Sequence, residues 1–310
     1  MTIVCATHFT DSSSGAVSVA AHLAKRTGQP LWLVCVLPGI ALGPGAGPRE
    51  KIVSDALHLE AGLLREQGVV VEVALLHGKV ERAVGRLCND VGAKLLVVGD
   101  PHARSPLFAT PVDRIASGVS VPLLVVRDKR PFQAWAKGER PLKVLLAIDH
   151  TWSSALAREW LGGLAAYGPL DVLATHVWTP AEEHARRGRA PPMTESDVTS
   201  LEALLTKDAE AALADLPPNV TSRVRLEIGQ GHVGELLLAL AAREQVDIMV
   251  LGTHPQKGLL SRLRSISHEV VADALMSVAL VPGEGQAVEA MARASPASAR
   301  GLKERSRRSL

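Results

Sequence analysis

The sequence predicts an α/β fold built from two doubly wound, parallel-sheet domains in tandem, and three observations carry that expectation. Short apolar runs alternate with helical segments along nearly the whole chain. Two of those runs, Leu95-Leu96-Val97-Val98 and Ile248-Met249-Val250-Leu251, end on Gly99 and Gly252. Such strand ends are where an open parallel sheet places its ligand. The chain also repeats itself. Thr7-His8-Phe9-Thr10-Asp11-Ser12-Ser13 aligns with Ile148-Asp149-His150-Thr151-Trp152-Ser153-Ser154, and Gly78-Lys79-Val80 with Gly231-His232-Val233.

In the first half, Ile3 to Thr7 reads as a strand. Thr10-Asp11-Ser12-Ser13 offers caps for a helix running to about Lys25 and stopping at Gly28. Leu31 to Leu37 is the second apolar strand. The stretch from Pro38 to Pro48 contains GPGAGP, whose prolines stand where a phosphate-binding turn needs free amides, so it reads as a flexible connection. Glu50 to Gln67 is helical and closed by Gly68; Val69 to Leu76 is a third strand. A helix over about Val80 to Val91, the strand at Leu95, a short helix near Val112 to Ser117 and a strand at Pro122 to Val126 complete this half.

Arg127 to Pro141 is polar, basic and bounded by proline, which predicts an interdomain linker. The register between the repeats then shifts, placing an insertion in the second half, and Ala181 to Asp197 is expected to be a surface loop with solvated charges. From Ser196 a capped helix runs to about Leu216, before a strand at Arg223 to Ile228. Gly229-Gln230-Gly231-His232-Val233-Gly234 satisfies GxGxxG. The acid that would hold a ribose should lie about 20 residues on at the far end of the next strand. Asp247 instead stands at that strand's start, so the motif reads as a glycine-rich turn with a modest preference for anions.

The most informative stretch runs from Val246 to Pro282. After Gly252 come Lys257, Arg262 and Arg264 among Ser261, Ser265 and Ser267, just before an apolar helix over Glu269 to Leu275. Cations and hydroxyls ahead of a helix start compose an anion site.

Composition narrows the function classes. The chain has 310 residues, 47% hydrophobic and 21% charged, and a net charge of +2, as expected of soluble globular cores. The basic surplus sits beyond Gly283, where Arg293, Arg300, Lys303, Arg305, Arg307 and Arg308 face Glu284, Glu289 and Glu304. That argues against nucleic-acid binding by the folded part and predicts a disordered basic tail over 283–310. No apolar run is long enough for a membrane helix, and the opening MTIVCATH has no signal-peptide pattern. Cys5, Cys35 and Cys88 are widely spaced in apolar surroundings, as buried free thiols of a reducing cytoplasm would be. His8, His77, His102, His150, His176, His232 and His254 fall at strand ends, which makes zinc geometrically conceivable. Without clustered carboxylates they are assigned no metal. No Ser-His-acid trio or GxSxG turn presents a nucleophile, so no catalytic residue is assigned. Trp152 and Trp178 are expected to pack near the second half's mouth.

Two copies of a strand followed by a hydroxyl-rich helix start, then an apolar strand ending on glycine (Gly252-Thr253-His254 in the second copy) and a closing valine-rich strand, resemble the universal stress protein family in its tandem form. The resemblance covers residues 2–127 and 142–282. It implies Rossmann-like domains of the adenine nucleotide alpha hydrolase type, each a five-stranded parallel sheet of order 3-2-1-4-5. Their final strands, Pro122 to Val126 and Val278 to Val281, would pair as a pseudo-dimer within the chain. The domains are then 1–127, a linker at 128–141, 142–282 and the tail.

In nucleotide-binding members an early Asp contacts the adenine and G-x-x-G-x9-G-(S/T) wraps the phosphates. Here Asp149 keeps the acid. Counting from Gly252, however, Pro255, Ser265 and Ile266 occupy the other key positions, and Pro255 and Ile266 each remove a donor. The site implied is Asp149, His150, Thr151, Gly252, Thr253, His254, Lys257, Gly258, Ser265 and Ser267, holding ATP or AMP weakly and in the second domain alone. In the first domain His8 replaces the Asp, while Pro101, Pro106 and Pro111 stiffen a shorter loop. The expected function is a cytoplasmic, non-enzymatic stress-response module that binds an unidentified protein partner and a small anionic ligand. An ATP-binding switch or slow ATP hydrolase is the alternative, and a metal-binding protein the third reading. A homodimer is compatible with all three.

Overall fold

The computed structural model describes residues 2–37, 39, 46–100, 111–188, 194–229, 232–253 and 266–283. The chain forms two compact units, one built on Met1–Leu123 and one on Leu124–Val281.

In the first unit the order is β1 (Thr2–Ala6), α1 (Asp11–Thr27), β2 (Leu31–Leu37), α2 (Ala46–Glu66), β3 (Val71–His77), α3 (Val80–Asp90), β4 (Ala93–Gly99) and α4 (Pro111–Gly118). Parallel pairing sets Cys5 of β1 between Leu33 of β2 and Val97 of β4, and β3 continues from β2 with Leu33 beside Val73. These central strands read as unbroken apolar runs because helices cover both faces, and Val4, Leu33, Val34 and Val97 are fully buried. Before α1, the Thr10 amide donates to Ser13 Oγ at 2.9 Å. The helix ends at Gly28, whose φ of 64° suits a residue without Cβ.

The second unit takes in β5 (Leu123–Val126) from Leu124 onward, α5 (Arg130–Ala136), β6 (Leu142–Ala147), α6 (Trp152–Leu164), β7 (Leu170–Trp178), α7 (Pro180–Arg186), α8 (Glu195–Leu213), β8 (Val220–Ile228), α9 (Val233–Arg243), β9 (Ile248–Thr253), α10 (Ile266–Asp273) and β10 (Ser277–Pro282). Strand order is β3-β2-β1-β4-β5 in the first repeat and β8-β7-β6-β9-β10 in the second, which is 3-2-1-4-5 twice. The final strands β5 and β10 are hydrogen-bonded neighbours, so neither is left as an open edge there. Arg127, just past β5, donates through its guanidinium to the carbonyls of Val271 and Ala274, and its amide donates to Ser277 Oγ at 3.2 Å. At the other edge, β8 is lined with charge: Arg225 pairs with Glu227 at 2.6 Å, and Arg223 with Glu244 at 3.0 Å.

The segment between the repeats, expected as a linker, carries α5, because Phe132 and Trp135 lie three residues apart on one helical face and both are buried. Their rings meet edge to face at 6.5 Å, and Trp135 Nε1 donates to the Pro169 carbonyl at 2.9 Å. Beyond it, Arg140 grips the Asp247 carboxylate with two hydrogen bonds, at 2.5 and 2.9 Å, while the Lys143 amide donates to the same group. Asp247 is therefore a clamp between the starts of β6 and β9, which explains why it stands early rather than at a ribose. One expectation is corrected, at 181–197. Thr179 caps α7 by accepting from the Glu182 amide, and Glu183 and His184 on that helix are buried instead of solvated. The expected tail from 284 and the GPGAGP residues 43–45 lie outside the described residues.

Cys5, Cys35 and Cys88 are buried and unpaired. Burial pushes all three thiols up, Cys88 to about 12, so thiolate chemistry is suppressed. No described helix is long and apolar enough to cross a membrane.

Candidate functional site

The strand ends of the second unit surround a cavity of about 310 Å³. It is lined by Asp149, just past β6, and Thr151, at the start of α6, by Thr175 and Val177 of β7, by Gly252 of β9, and by Ile266 and Ser267 of α10.

Asp149 is held before any ligand arrives. Its amide donates to Ser154 Oγ at 3.0 Å, and its Oδ1 accepts from the Thr151 amide at 2.8 Å and from the Thr151 hydroxyl. Thr151 in turn caps α6 by accepting from the Ser154 amide at 3.3 Å. The early acid and the Ser-Ser pair thus form one hydrogen-bonded turn, which fixes where the carboxylate can be reached. Gly252 sits against this turn. A Cβ there would lie 2.3 Å from the Ser153 carbonyl oxygen and 2.8 Å from the Ser154 nitrogen, so β9 approaches the start of α6 more closely than any side chain allows. Gly99 stands in the same relation to Ser12 and Ser13 in the first unit, at 2.2 and 2.8 Å.

Of the sequence-predicted set, Asp149, Thr151, Gly252 and Ser267 line the cavity. Thr253 is buried, and its hydroxyl donates to the Val281 carbonyl at 3.5 Å, which ties β9 to β10. His254, Lys257, Gly258 and Ser265 lie outside the described residues. His150 lines a second, smaller cavity of about 210 Å³, together with Asp149, Thr151, His176 and α8. The two imidazoles meet edge to face at 5.1 Å, and His176 Nδ1 donates to the Ile148 carbonyl at 2.9 Å. Burial lowers the pKa of His150, as do Arg186 and His176 nearby, so it favours the neutral form.

Sequence reasoning missed Thr175. It is 1% exposed, lines the cavity, and its hydroxyl has no hydrogen-bond partner among the described residues. The available signal was the one hydroxyl of β7, toward its C-terminal end and beside His176. Trp178 packs against Leu201 and Leu205, whereas Trp152 is largely exposed.

Beside His150, Glu183 Oε2 lies 3.6 Å from the imidazole Nε2. Hydrogen bonds from Arg186, at 2.5 and 2.8 Å, and from Arg187, at 2.8 Å, hold the Glu183 carboxyl down to about 2 against its burial. A depressed carboxylate contributes stability that is fully present above its unfolded value and is lost as pH falls through the folded one. Wild-type protein is therefore expected to lose stability relative to Glu183→Gln between about pH 4.5 and pH 2. Urea midpoints of both proteins across that window check it; parallel curves would show that the Arg pair does not stabilise the fold.

In the first unit the equivalent of Asp149 is His8, whose Nε2 hydrogen-bonds Thr10 Oγ1 at 2.9 Å, so the acid position is filled by an imidazole engaged with its own turn.

Comparison with known proteins accords with this architecture. The universal stress protein family profile matches residues 1–127 and 142–282. Among solved structures, a universal stress protein from Archaeoglobus fulgidus is similar at a TM-score of 0.65 and 14% identity, covering 91% of this chain and 98% of that one. A functionally unknown protein from Pseudomonas aeruginosa is similar at a TM-score of 0.64 and 16% identity, covering 95% and 96%. At such identities the likeness shows the fold. No curated protein matches the sequence. With both repeats matched over most of the chain, the protein belongs to the universal stress protein family, as a member with two domains in tandem.

Proposed function

We propose that the protein is a cytoplasmic, non-enzymatic stress-response module whose second domain holds an adenine nucleotide weakly and passes its occupancy to a protein partner. One observation carries this reading: the cavity at the strand ends joins an oriented carboxylate, Asp149, to the buried Thr175 hydroxyl that has no partner among the described residues. A buried hydroxyl without a partner is costly unless a ligand or water meets it. Asp149 suits the adenine amino group, the role that the family pattern gives to this acid.

The phosphate end supports weak rather than tight binding. Ile266, half exposed at the start of α10, lines the cavity where the family pattern has a hydroxyl, so an apolar group faces the phosphates. ATP is therefore expected to bind little better than AMP. Isothermal titration of the full chain checks this, with dissociation constants of about 10 μM or weaker expected for both. Asp149→Ala and Thr175→Val should each weaken binding by about tenfold, the size of one lost polar contact. No binding by the wild type, or full binding by Asp149→Ala, would overturn the reading. Phosphate release from ATP no faster than in buffer is expected, and steady turnover would favour a slow hydrolase instead.

A further inference from the structure

His232, Glu235 and Glu269 place one imidazole nitrogen and two carboxylate oxygens within 4.8 Å of one another. We propose that these three side chains form a binding site for a single divalent first-row transition-metal ion, with zinc as the matching occupant. His232 stands immediately before α9 and Glu235 lies in its first turn, so the spacing H-x-x-E puts both on one side of the helix start. Glu269 comes from α10, which packs against α9.

The approach of Glu269 is built into the backbone. Gly234 lies between the two α9 ligands, and a Cβ there would fall 2.5 Å from the Glu269 carboxyl carbon and 2.6 Å from Oε2. The missing side chain is therefore what lets the third carboxylate reach the other two groups. The two carboxylates lie within 4.8 Å of each other, and a cation between them would interact favourably with both.

The donor set selects the metal. Imidazole favours zinc and its neighbours over magnesium, and a tetrahedral ion with bonds of about 2.0–2.1 Å needs ligand atoms about 3.3 Å apart, within reach of small side-chain rotations from the present geometry. His232 and Glu235 are exposed, which leaves the fourth position to water and a path from solvent. The site needs none of the cavity's polar groups, so it stands or falls separately from nucleotide binding.

The test is titration of the chelator-stripped, dialysed full chain with zinc chloride and, separately, magnesium chloride. One zinc per chain is expected, with magnesium at least tenfold weaker. His232→Ala and Glu269→Gln should each weaken zinc by tenfold or more, and Gly234→Ala should do the same by displacing Glu269. His77→Ala, at a strand end of the first unit, should leave it unchanged. Glu235→Gln removes one charge at an exposed position without changing shape and serves as the variant least able to disturb folding. A wild type that takes up no zinc overturns the proposal, as does uptake that survives both Glu235→Gln and His232→Ala.

Discussion

Replacing Trp135 by alanine is expected to destabilise the protein by about 3–5 kcal/mol, the range for removing a large aromatic side chain from a packed interior. The residue is 2% exposed, meets Phe132 edge to face, and donates to the Pro169 carbonyl. It also lies over Gly168, where an added Cβ would fall 2.5 Å from Nε1, so the turn before β7 is shaped around the indole. Deletion therefore leaves a cavity and removes one of the two hydrogen bonds that the Pro169 carbonyl accepts, the Leu142 amide keeping the other. Urea unfolding of Trp135→Ala measures the loss, and Trp135→Phe separates the two contributions. Phenylalanine restores most of the packing but no donor, so it should recover more than half of the lost stability. A cost below about 1 kcal/mol for Trp135→Ala would mean that 128–141 behaves as the linker its composition suggests.

The second large effect is expected at the paired glycines. Gly252→Ala and Gly99→Ala should each cost about 1–3 kcal/mol or more, because the new Cβ meets backbone that has no rotamer by which to retreat. Their consequences diverge. Gly252→Ala pushes α6 and its Ser153-Ser154 turn away from β9, which moves Asp149 and should abolish the proposed nucleotide binding. Gly99→Ala strains the first unit and should leave that binding intact. Gly163, with nothing within 4 Å of an added Cβ, supplies the control. Gly163→Ala should be neutral or stabilising, since it sits within α6. Thermal unfolding and AMP titration of the three variants check the pattern, and equal behaviour of all three would show that the close approach is not tight.

Particular residues show how much was legible in the sequence. Apolar strands ending on glycine, and helices stopped by Gly28, were readable because their causes are local: strand burial on both faces, and a backbone conformation that suits glycine. The place of Asp149 at the strand-end cavity was readable from its position after β6 beside Thr151 and Ser153-Ser154. His150, its neighbour, lines the second cavity and not the first, whereas Asp149 and Thr151 line both. The segment at 181–197 misled because it is rich in charge and proline, yet Glu183 and His184 are buried; at 128–141 a similar composition holds the buried Phe132 and Trp135.

The sequence by itself determined the α/β class, the duplication and the place of the ligand-facing strand ends, because periodicity, glycine and internal repetition are properties of neighbouring residues. Only the tertiary structure decided that Thr175 has a hydroxyl to offer and that Glu183 is buried under two arginines. It alone joined Glu269 to His232 and Glu235 through the gap at Gly234. Those facts depend on which atoms from distant segments share space, and hydrogen bonding, desolvation and repulsion act through space rather than along the chain.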